Sequence, residues 1–421
     1  MNLRSLTSTA VRGKRVLVRA NFDVALHKDG SIITVEDDTR LKAALDTIHF
    51  LQEEGSRIIL ISHLGRPRGK VVPELSLKPI ADYLKDNLGL PISFVADCGG
   101  PKTMTAIKTQ QPGEIILLEN LRFYPEERAN DKDFAKKLAS LADVYVDEAF
   151  SNAHRPHASM IGIPEFLPSF AGFNLMTEVR TLTKLISKPK KPFIVILGGA
   201  KISDKVGALK YLTDLADIVL IGGAIANNFL SAEGFEIYRS FVEESSTKMD
   251  ADYVEVAREL IEEHKTDRIL KDNYIPLPKL LYPLDVVAAP ELSTTIKDDT
   301  KIIDLSHDMA DTQEHIQLQY LDIGPKTRKL YKELIAGAGT VFWNGPMGVW
   351  ENELFSEGTK TIAKAITETD AYTVLGGGDT IAAANHFHVE HKFTYVSAAG
   401  GAALKFLSGE MLPGIAPLLE K

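Results

Sequence analysis

The feature that most constrains this chain is a recurring unit: a short, continuously apolar run that ends abruptly on polar or glycine-rich residues. Early runs are RVLVRANFD, RIILISHLGRP, EIILLENLR and DVYVDEAFSNAHR; after residue 190 they are PFIVILGGAK, DIVLIGGAIANN, VFWNGPMGVWE, TVLGGGDT and TYVSAAGG. Val, Ile and Leu fill successive positions, the pattern of strands covered on both faces. Longer helical stretches separate the runs, which predicts βαβ units and mostly parallel sheets. Ligands of such sheets sit beyond the carboxyl ends of the strands. A cationic floor in the first half suits a polyanionic small molecule, and a glycine floor in the second suits nucleotide phosphates. Together they point to phosphoryl transfer.

With 421 residues the chain exceeds one ordinary core, so two domains are expected. The balance of 25% charged and 44% hydrophobic residues is that of a globular protein. A net charge of -9 argues against a broad nucleic-acid surface, though not against a local basic cleft. Cys98 is the sole cysteine, which excludes an intrachain disulfide and a multi-cysteine metal site. The start, MNLRSLTSTAVRGKR, lacks the apolar core of a signal peptide, and no run is long enough to span a membrane. Cytoplasm is the expected address, with no membrane partner.

Residues 41–55 predict a helix closed by Gly55, and 76–89 a helix opened by Ser76 and closed by Gly89. Between 163 and 192 Pro164, Pro168 and Gly172 mark a loop, NLMTEVRTLTKLISK reads as a helix, and KPKKP closes it. This places a first domain over 1–170, a connecting helix over 171–190 and a second domain from 191. The stretch 239–315 is charged and irregular, and predicts two helices and some strands.

In LGGAK (197–201) the glycines let backbone N–H groups approach a phosphate, and the segment ISDKVGALKYL is predicted to be the helix that follows. On that helix Lys201 and Lys205 share a face and reach successive phosphates. Gly198 and Gly199 equally fit a plain tight turn. In GGGDT, Gly376, Gly377 and Gly378 form a bare turn, Asp379 is placed to hold Mg²⁺ and Thr380 to donate to a phosphate oxygen; Asp379 also fits a helix cap. Asn344 and Glu351 lie beyond another strand, where Glu351 suits ribose hydroxyls or is simply a solvated acid. No G-x-x-x-x-G-K-[ST] occurs, nor an early G-x-G-x-x-G followed by a suitably spaced acid.

In the first half His63, Arg66, Arg122 and Arg155 all follow strand-like runs, and Arg40 begins a helix. Any one of them fits a surface ion pair. Together at one sheet edge they repel one another unless an anion visits, and a guanidinium grips phosphate or carboxylate with two donors. His154 and His157 have a metal-like spacing, but Pro156 interrupts and no third ligand stands nearby.

These motifs resemble phosphoglycerate kinase over essentially the whole chain: SHLGRPRGK, LLENLRF, AHRPHAS, PFIVILGGAKISDKVGAL, DIGPKT, WNGPMGV and GGGDT stand in that family's order and spacing. The resemblance implies two doubly wound, Rossmann-like α/β domains facing a cleft and joined by a helix. The first would hold phosphoglycerate and the second, over 191–402, Mg-ATP or Mg-ADP, with residues 403–421 returning to the first. It implies reversible phosphoryl transfer between 1,3-bisphosphoglycerate and ADP after hinge closure, by a monomer. Carried over by position, His63, Arg66, Arg122 and Arg155 would grip the non-transferring phosphate, and Arg40 would reach the carboxylate and the moving phosphoryl. Asn21 and Asp23 would also meet the substrate. Lys201 and Lys205 would neutralise phosphates, Asp379 hold Mg²⁺, and Glu351 contact the ribose. Asn344, Gly376, Gly377, Gly378 and Thr380 would line the nucleotide path, with Gly377 and Gly400 offering backbone donors to the phosphoryl group.

The family's early Asp-x-Asn-Val-Pro reads Asn21, Phe22, Asp23, Val24, Ala25 here. Its Asn-Asp-Ala-Phe-Gly reads Asp147, Glu148, Ala149, Phe150, Ser151. A glycine of its Gly-Gly-Gly-Met segment is Ala224, and its Ser-Thr-Gly-Gly-Gly loop reads Ser397, Ala398, Ala399, Gly400, Gly401. An alanine cannot take a positive φ cheaply. These changes keep open an alternative, a catalytically weakened nucleotide-binding homologue with a regulatory role.

Overall fold

The computed structural model describes residues 1–29, 32–246, 251–265, 268–270, 273–275, 277–305 and 315–420. The chain divides into two compact units, Met1–Thr181 with Met411–Lys421, and Leu182–Glu410. Each is built on a six-stranded, wholly parallel sheet.

In the first unit the strands are β1 (Arg15–Arg19), β2 (Arg57–Ile61), β3 (Ile92–Val95), β4 (Ile115–Leu118), β5 (Val144–Asp147) and β6 (Ser169–Ala171), in the order β3-β4-β2-β1-β5-β6. Their continuous apolar runs feed two cores. Val16, Val18, Ile58 and Leu60 pack with Ile48 and Leu84 on one face. Leu17, Ile59, Ile61 and Tyr145 pack with Phe134 and Leu138 on the other. At about 1.5–3 kcal/mol for each large side chain removed from water, both faces contribute to holding the sheet.

The second unit repeats the plan with β7 (Phe193–Leu197), β8 (Ile218–Ile221), β9 (Leu280–Leu281), β10 (Thr340–Asn344), β11 (Tyr372–Gly376) and β12 (Tyr395–Ser397), in the order β9-β8-β7-β10-β11-β12. The Tyr331 hydroxyl, on the helix Pro325–Ala336, lies 2.9 Å from the carbonyls of both Ile221 and Leu281, which share its one proton, and so ties this helix to the ends of β8 and β9. The unit also carries a three-stranded antiparallel sheet of Lys301–Asp304, Asp285–Ala289 and Gln319–Ile323.

Several expectations need correction. Residues 41–55 do not form one helix: Thr39–Lys42 is a separate turn, closed by the tighter bond from Ala44 N–H to the Leu41 carbonyl, before Leu45–Glu53. Only one α-helix, Tyr253–Glu263, lies in 239–315 among the described residues, and 306–314 fall outside them. The connecting helix is Phe173–Ser187, with the division between units inside it. Residues 403–410 stay with the second unit, because the helix Gly401–Leu407 packs on the helix Val206–Leu215; the return starts at Met411. Among the described residues no helix is long and apolar enough to cross a membrane.

The chain order reverses beside the first strand of each sheet. From β1 the chain proceeds to β2 on one side and from β5 to β6 on the other; β7 and β10 stand in the same relation. Adjacent strands whose connections leave in opposite directions open a crevice at their carboxyl ends, which is where ligands of such sheets bind. Asn21–Asp23 and Glu148–Arg155 flank the first crevice, Gly198–Lys201 and Gly345–Met347 the second.

β5 ends on Asp147, fully buried, whose Oδ1 accepts from Ala149 N–H while Oδ2 is buried without a partner. Burial pushes this carboxyl up to about 7, against the opposing pull of the Ala149 N–H and Arg19. Such a group binds its proton in the folded state over a range where the unfolded chain has lost it, so it lowers stability as pH rises. Asp147→Asn is expected to gain on the parent from about pH 4 to about pH 7, by up to about 1.4 kcal/mol per pH unit, and to hold that gain above. Urea unfolding of both proteins across this range checks it; a pH-independent difference would contradict the assignment.

Candidate functional site

The first crevice is organised by a residue the motifs did not single out. Arg19, the last residue of β1, is 1% exposed. Its guanidinium donates to the Ala20 carbonyl, from Nε to Ser159 Oγ at 3.0 Å, and from Nη2 to His63 Nδ1 at 2.9 Å. Ser159 in turn donates through Oγ and its backbone N–H to the buried Glu127, at 2.6 and 2.9 Å. Because a guanidinium can only donate, His63 Nδ1 must be the acceptor and its proton sits on Nε2. Burial pushes His63 down to about 3, and its contact with Asp23 does not offset that, so the ring is neutral. Its Nε2 faces Asp23 Oδ2 at 3.4 Å.

Asp23 therefore serves the protein's own frame. Oδ1 accepts from Gly65 N–H at 2.8 Å, Oδ2 faces His63, and its backbone carbonyl accepts from Arg40 Nη1. Burial opposes its charge, yet the His63 and Gly65 donors and the nearby Arg122 hold the carboxyl below its usual range. A carboxylate can accept both of these donors where an amide has one acceptor oxygen. The exchange of amide and carboxylate at Asn21 and Asp23 is thus built into the local network. Asn21 is half-buried beside it.

Arg122 lies 5% exposed after β4; Nη1 donates to the Gly65 carbonyl at 2.7 Å, while Nη2 is buried with no protein partner. Burial and the charges of Arg155 and Arg19 lower it to about 10. Arg155 is half-buried and lowered by burial and by Arg66, and His157 is pushed down to about 3 by burial and Arg122. A cavity of about 450 Å³ is lined by Arg66, Arg68, Arg122, Arg128, Arg155 and His157. Mutually repelling cations with an unused buried donor call for an anion. The structure thus brings Arg66, Arg122 and Arg155 together, with His63 and Asp23 behind them and Arg40 on Asp23. Arg19 was legible as a charge inside an apolar run, but Arg128 lies in the acidic stretch PEERA and gave no signal.

In the second crevice Lys205 Nζ donates to Asn344 Oδ1 at 2.6 Å and to the Asn344 carbonyl at 3.0 Å. Burial lowers Lys205 to about 8, opposed by Asp379 and Asp204. A Cβ at Gly345 would stand 2.5 Å from Nζ and 2.2 Å from the Gly198 carbonyl oxygen, so glycine is required for β7 and β10 to close around the ammonium. Gly345 N–H donates to the buried Thr380 Oγ1 at 2.7 Å. Gly377 has φ 94, and a Cβ there would lie 2.9 Å from Asn344 Nδ2. Lys205, Asn344, Gly377 and Thr380 form one cluster, with Gly376 ending β11 and Gly378 opening the helix Gly378–His386. Asp379 is exposed in that helix's first turn and is not its cap, a place taken by Gly377. Lys201 and Glu351 are exposed.

One expectation fails here. Lys201 and Lys205 do not share a helix face: the helix begins at Val206, with Lys205 at φ -124 as its cap. Ile202–Lys205 is instead a turn, closed by Lys205 N–H on the Ile202 carbonyl and held at Ser203 by Glu243.

The glycine losses cost little backbone strain. Ala224 has φ -68, and neither Ala398 nor Ala399 adopts a positive φ; the left-handed position is Gly400, at φ 54. Among the described residues no group of three or more His, Cys, Asp or Glu is placed to hold a metal ion. A lone exposed carboxylate, Asp379, fits a hard cation that arrives with phosphate oxygens and keeps several waters.

A family model for phosphoglycerate kinase matches residues 6–410. Phosphoglycerate kinase of Moorella thermoacetica is 44% identical over 419 residues, 99% of each chain. That of Herpetosiphon aurantiacus is 42% identical over 421 residues, 100% of each. The solved structure of phosphoglycerate kinase from Coxiella burnetii matches with a TM-score of 0.81 at 35% identity, covering 99% of both chains. That from Pyrococcus horikoshii matches with a TM-score of 0.81 at 31% identity, covering 99% of this chain and 98% of its own.

If the first crevice is an anion site, Arg155→Gln relieves repulsion in the free protein and weakens the ligand. The unliganded thermal midpoint is expected to hold or rise, while affinity for inorganic phosphate falls about tenfold or more. A lower midpoint with unchanged phosphate affinity would make Arg155 a structural residue.

Proposed function

The chain belongs to the phosphoglycerate kinase family, and on that premise we propose how its residues carry the reaction. It is a phosphotransferase that moves a phosphoryl group reversibly between 1,3-bisphosphoglycerate and ADP, giving 3-phosphoglycerate and ATP. The observation that carries the residue assignment is the cavity lined by cations, with Arg122 Nη2 buried and unsatisfied. The substrate's non-transferring phosphate completes it, gripped by Arg66, Arg122 and Arg155, while His63, fixed as the Nε2–H tautomer, orients Asp23. Arg40, held on the Asp23 carbonyl, faces the carboxylate and the phosphoryl in transit.

In the second unit Lys205 and Lys201 neutralise nucleotide phosphates, Asn344 and Thr380 hold the turn that receives them, and Glu351 meets the ribose. Mg²⁺ on the nucleotide, taken by Asp379, would spread the phosphate charge. In the forward direction an ADP β-phosphate oxygen forms a new P–O bond as the acyl P–O bond breaks, and the leaving carboxylate keeps the electron pair. No covalent enzyme intermediate is needed; positioning and positive charge are. The backbone N–H groups of Gly377 and Gly400 are assigned to the moving phosphoryl. In-line transfer requires the two substrates to meet with water excluded, which is the reason to include hinge closure. A cytoplasmic monomer belongs to the same proposal. The weakened-homologue reading has no observation in its favour, since Asp23 is integrated and Ala224, Ala398 and Ala399 avoid positive φ.

ADP formation from Mg-ATP and 3-phosphoglycerate, with the bisphosphoglycerate removed by a coupling reaction, tests the proposal. Turnover that depends on phosphoglycerate and is abolished in Arg40→Ala supports it; binding of Mg-ATP without turnover would reinstate the regulatory alternative. Arg40→Lys is expected to bind 3-phosphoglycerate within a few-fold of the parent and to lose most of kcat, because an ammonium cannot reproduce the guanidinium fork. A near-normal kcat would remove Arg40 from its assigned role.

A further inference from the structure

The short segment from Lys201 to Lys205 is not held by a helix of its own. Ile202–Lys205 precedes the helix Val206–Leu215, and its central residue is clasped from a distant part of the chain. Glu243 Oε2 accepts from Ser203 N–H at 3.0 Å, and Oε1 from Ser203 Oγ at 2.6 Å. Both carboxylate oxygens therefore close on one residue, midway between Lys201 and Lys205. Glu243 is itself anchored. Two consecutive asparagines on the helix Ile225–Ala232, Asn227 and Asn228, are 2% and 0% exposed. Asn227 Nδ2 donates to the Phe241 carbonyl and Asn228 Nδ2 to the Glu243 carbonyl, each at 2.9 Å. The helix bearing them begins with Ile225 N–H on the Gly199 carbonyl at 3.1 Å, beside the same glycine turn. The loop of residues 241–243 is thus a strut from the glycine turn, through buried amides, to the lysine-bearing turn.

A carboxylate near a phosphate site weakens the ligand by repulsion, so its presence there needs a compensating use. Holding the backbone from which two lysines project is such a use: Lys205 Nζ already rests on Asn344, and a free segment under Lys201 and Lys205 would be ordered only when the ligand binds. We propose that Glu243 is a positioning residue for nucleotide binding: by clasping Ser203 it fixes the turn from which Lys201 and Lys205 meet the nucleotide phosphates. This rests on the assignment of those lysines in the proposed function.

The test compares steady-state kinetics with Mg-ATP and 3-phosphoglycerate in Glu243→Ala, Glu243→Gln, Ser203→Ala and Lys201→Ala. Glu243→Ala is expected to raise KM for Mg-ATP about tenfold, the loss of charge-assisted hydrogen bonds, with KM for 3-phosphoglycerate within twofold of the parent. Glu243→Gln keeps length and one acceptor, and the Ser203 hydroxyl can turn to accept from the amide. Its KM for Mg-ATP is expected within about threefold of the parent, which separates geometry from charge. Ser203→Ala should raise the same KM less than Glu243→Ala does, and add little in the Glu243→Ala background. The proposal is overturned if Glu243→Ala leaves KM for Mg-ATP unchanged, raises both KM values alike, or is matched in full by Glu243→Gln. If Glu243→Ala does not fold, the Gln and Ser203 variants decide by the same criteria. Lys201→Ala separates the two levels. If it raises KM for Mg-ATP while the Glu243 variants do not, only the positioning role falls; if it has no effect, the lysine assignment falls and this proposal with it.

Discussion

A parallel sheet brings the carboxyl ends of all its strands to one edge, and everything distinctive in this protein follows from what the chain places there. Each unit meets the constraint in the same way, by reversing its strand order next to its first strand, between β1 and β5 and between β7 and β10. The reversal parts the two connecting segments and leaves backbone N–H groups and short loops facing an open crevice. In the first unit, burial of both sheet faces keeps the strands from shifting, because the central apolar runs alternate between two separate cores. A one-residue slip would exchange those faces along the whole strand. The loops are therefore fixed by hydrophobic burial some distance from the chemistry they carry.

Within the first crevice the governing cost is electrostatic. A guanidinium buried as deeply as Arg19 is tolerated only when its donors are satisfied, and removing a partner from such a group commonly costs about 3–5 kcal/mol. The chain Glu127, Ser159, Arg19, His63, Asp23 meets that demand and fixes a neutral histidine in one tautomer. Arg122 and Arg155 are then held in a field they would leave if free to do so. The second crevice has the opposite economy of charge: a single half-buried ammonium, Lys205, satisfied by one asparagine, with the remaining donors supplied by backbone.

The sequence made the sheets and the strand-end residues legible because both depend on local pattern. Apolar runs report burial on two faces, and the residue after a parallel strand lies at the edge wherever the strand sits in the sheet. His63, Arg122 and Asn344 lie at or just past strand ends in this way, and Arg155 and Asp379 in the segments that follow their strands. What was not legible depended on contacts between distant segments. Lys201 and Lys205 have the spacing of a helix face, but Glu243 holds Ser203 in a turn from about forty residues away, and no local signal in 198–205 announces it. Arg128 reads as one charge in an acidic surface helix until the fold turns it into the cavity. Residues 41–55 have helical spacing throughout, yet Arg40 is drawn onto the Asp23 carbonyl and the helix breaks behind it.

The departures from the family pattern at Asp147 and Glu148 show how such contacts absorb a change. Glu148 is 2% exposed and accepts from Thr47 Oγ1 at 2.8 Å and from the N–H groups of Asn174 and Leu175 at 3.1 and 3.3 Å. Its carboxylate thus sits at the positive end of the helix Phe173–Ser187, where a helix favours negative charge. It fits only because residue 172 is glycine, since a Cβ there would lie 1.9 Å from Glu148 Oε2. The extra methylene relative to aspartate is accommodated by the absence of a side chain opposite; the threonine and the helix terminus favour the charge, but burial outweighs them and pushes the carboxyl up to about 7. Asp147, one residue earlier, has a single backbone donor and no partner for its second oxygen. Two adjacent acidic residues at the end of one strand are therefore both pushed up to about 7 by burial, Glu148 against three donors at the start of the connecting helix and Asp147 against one backbone N–H and Arg19, and the fold accommodates each in part by keeping it protonated.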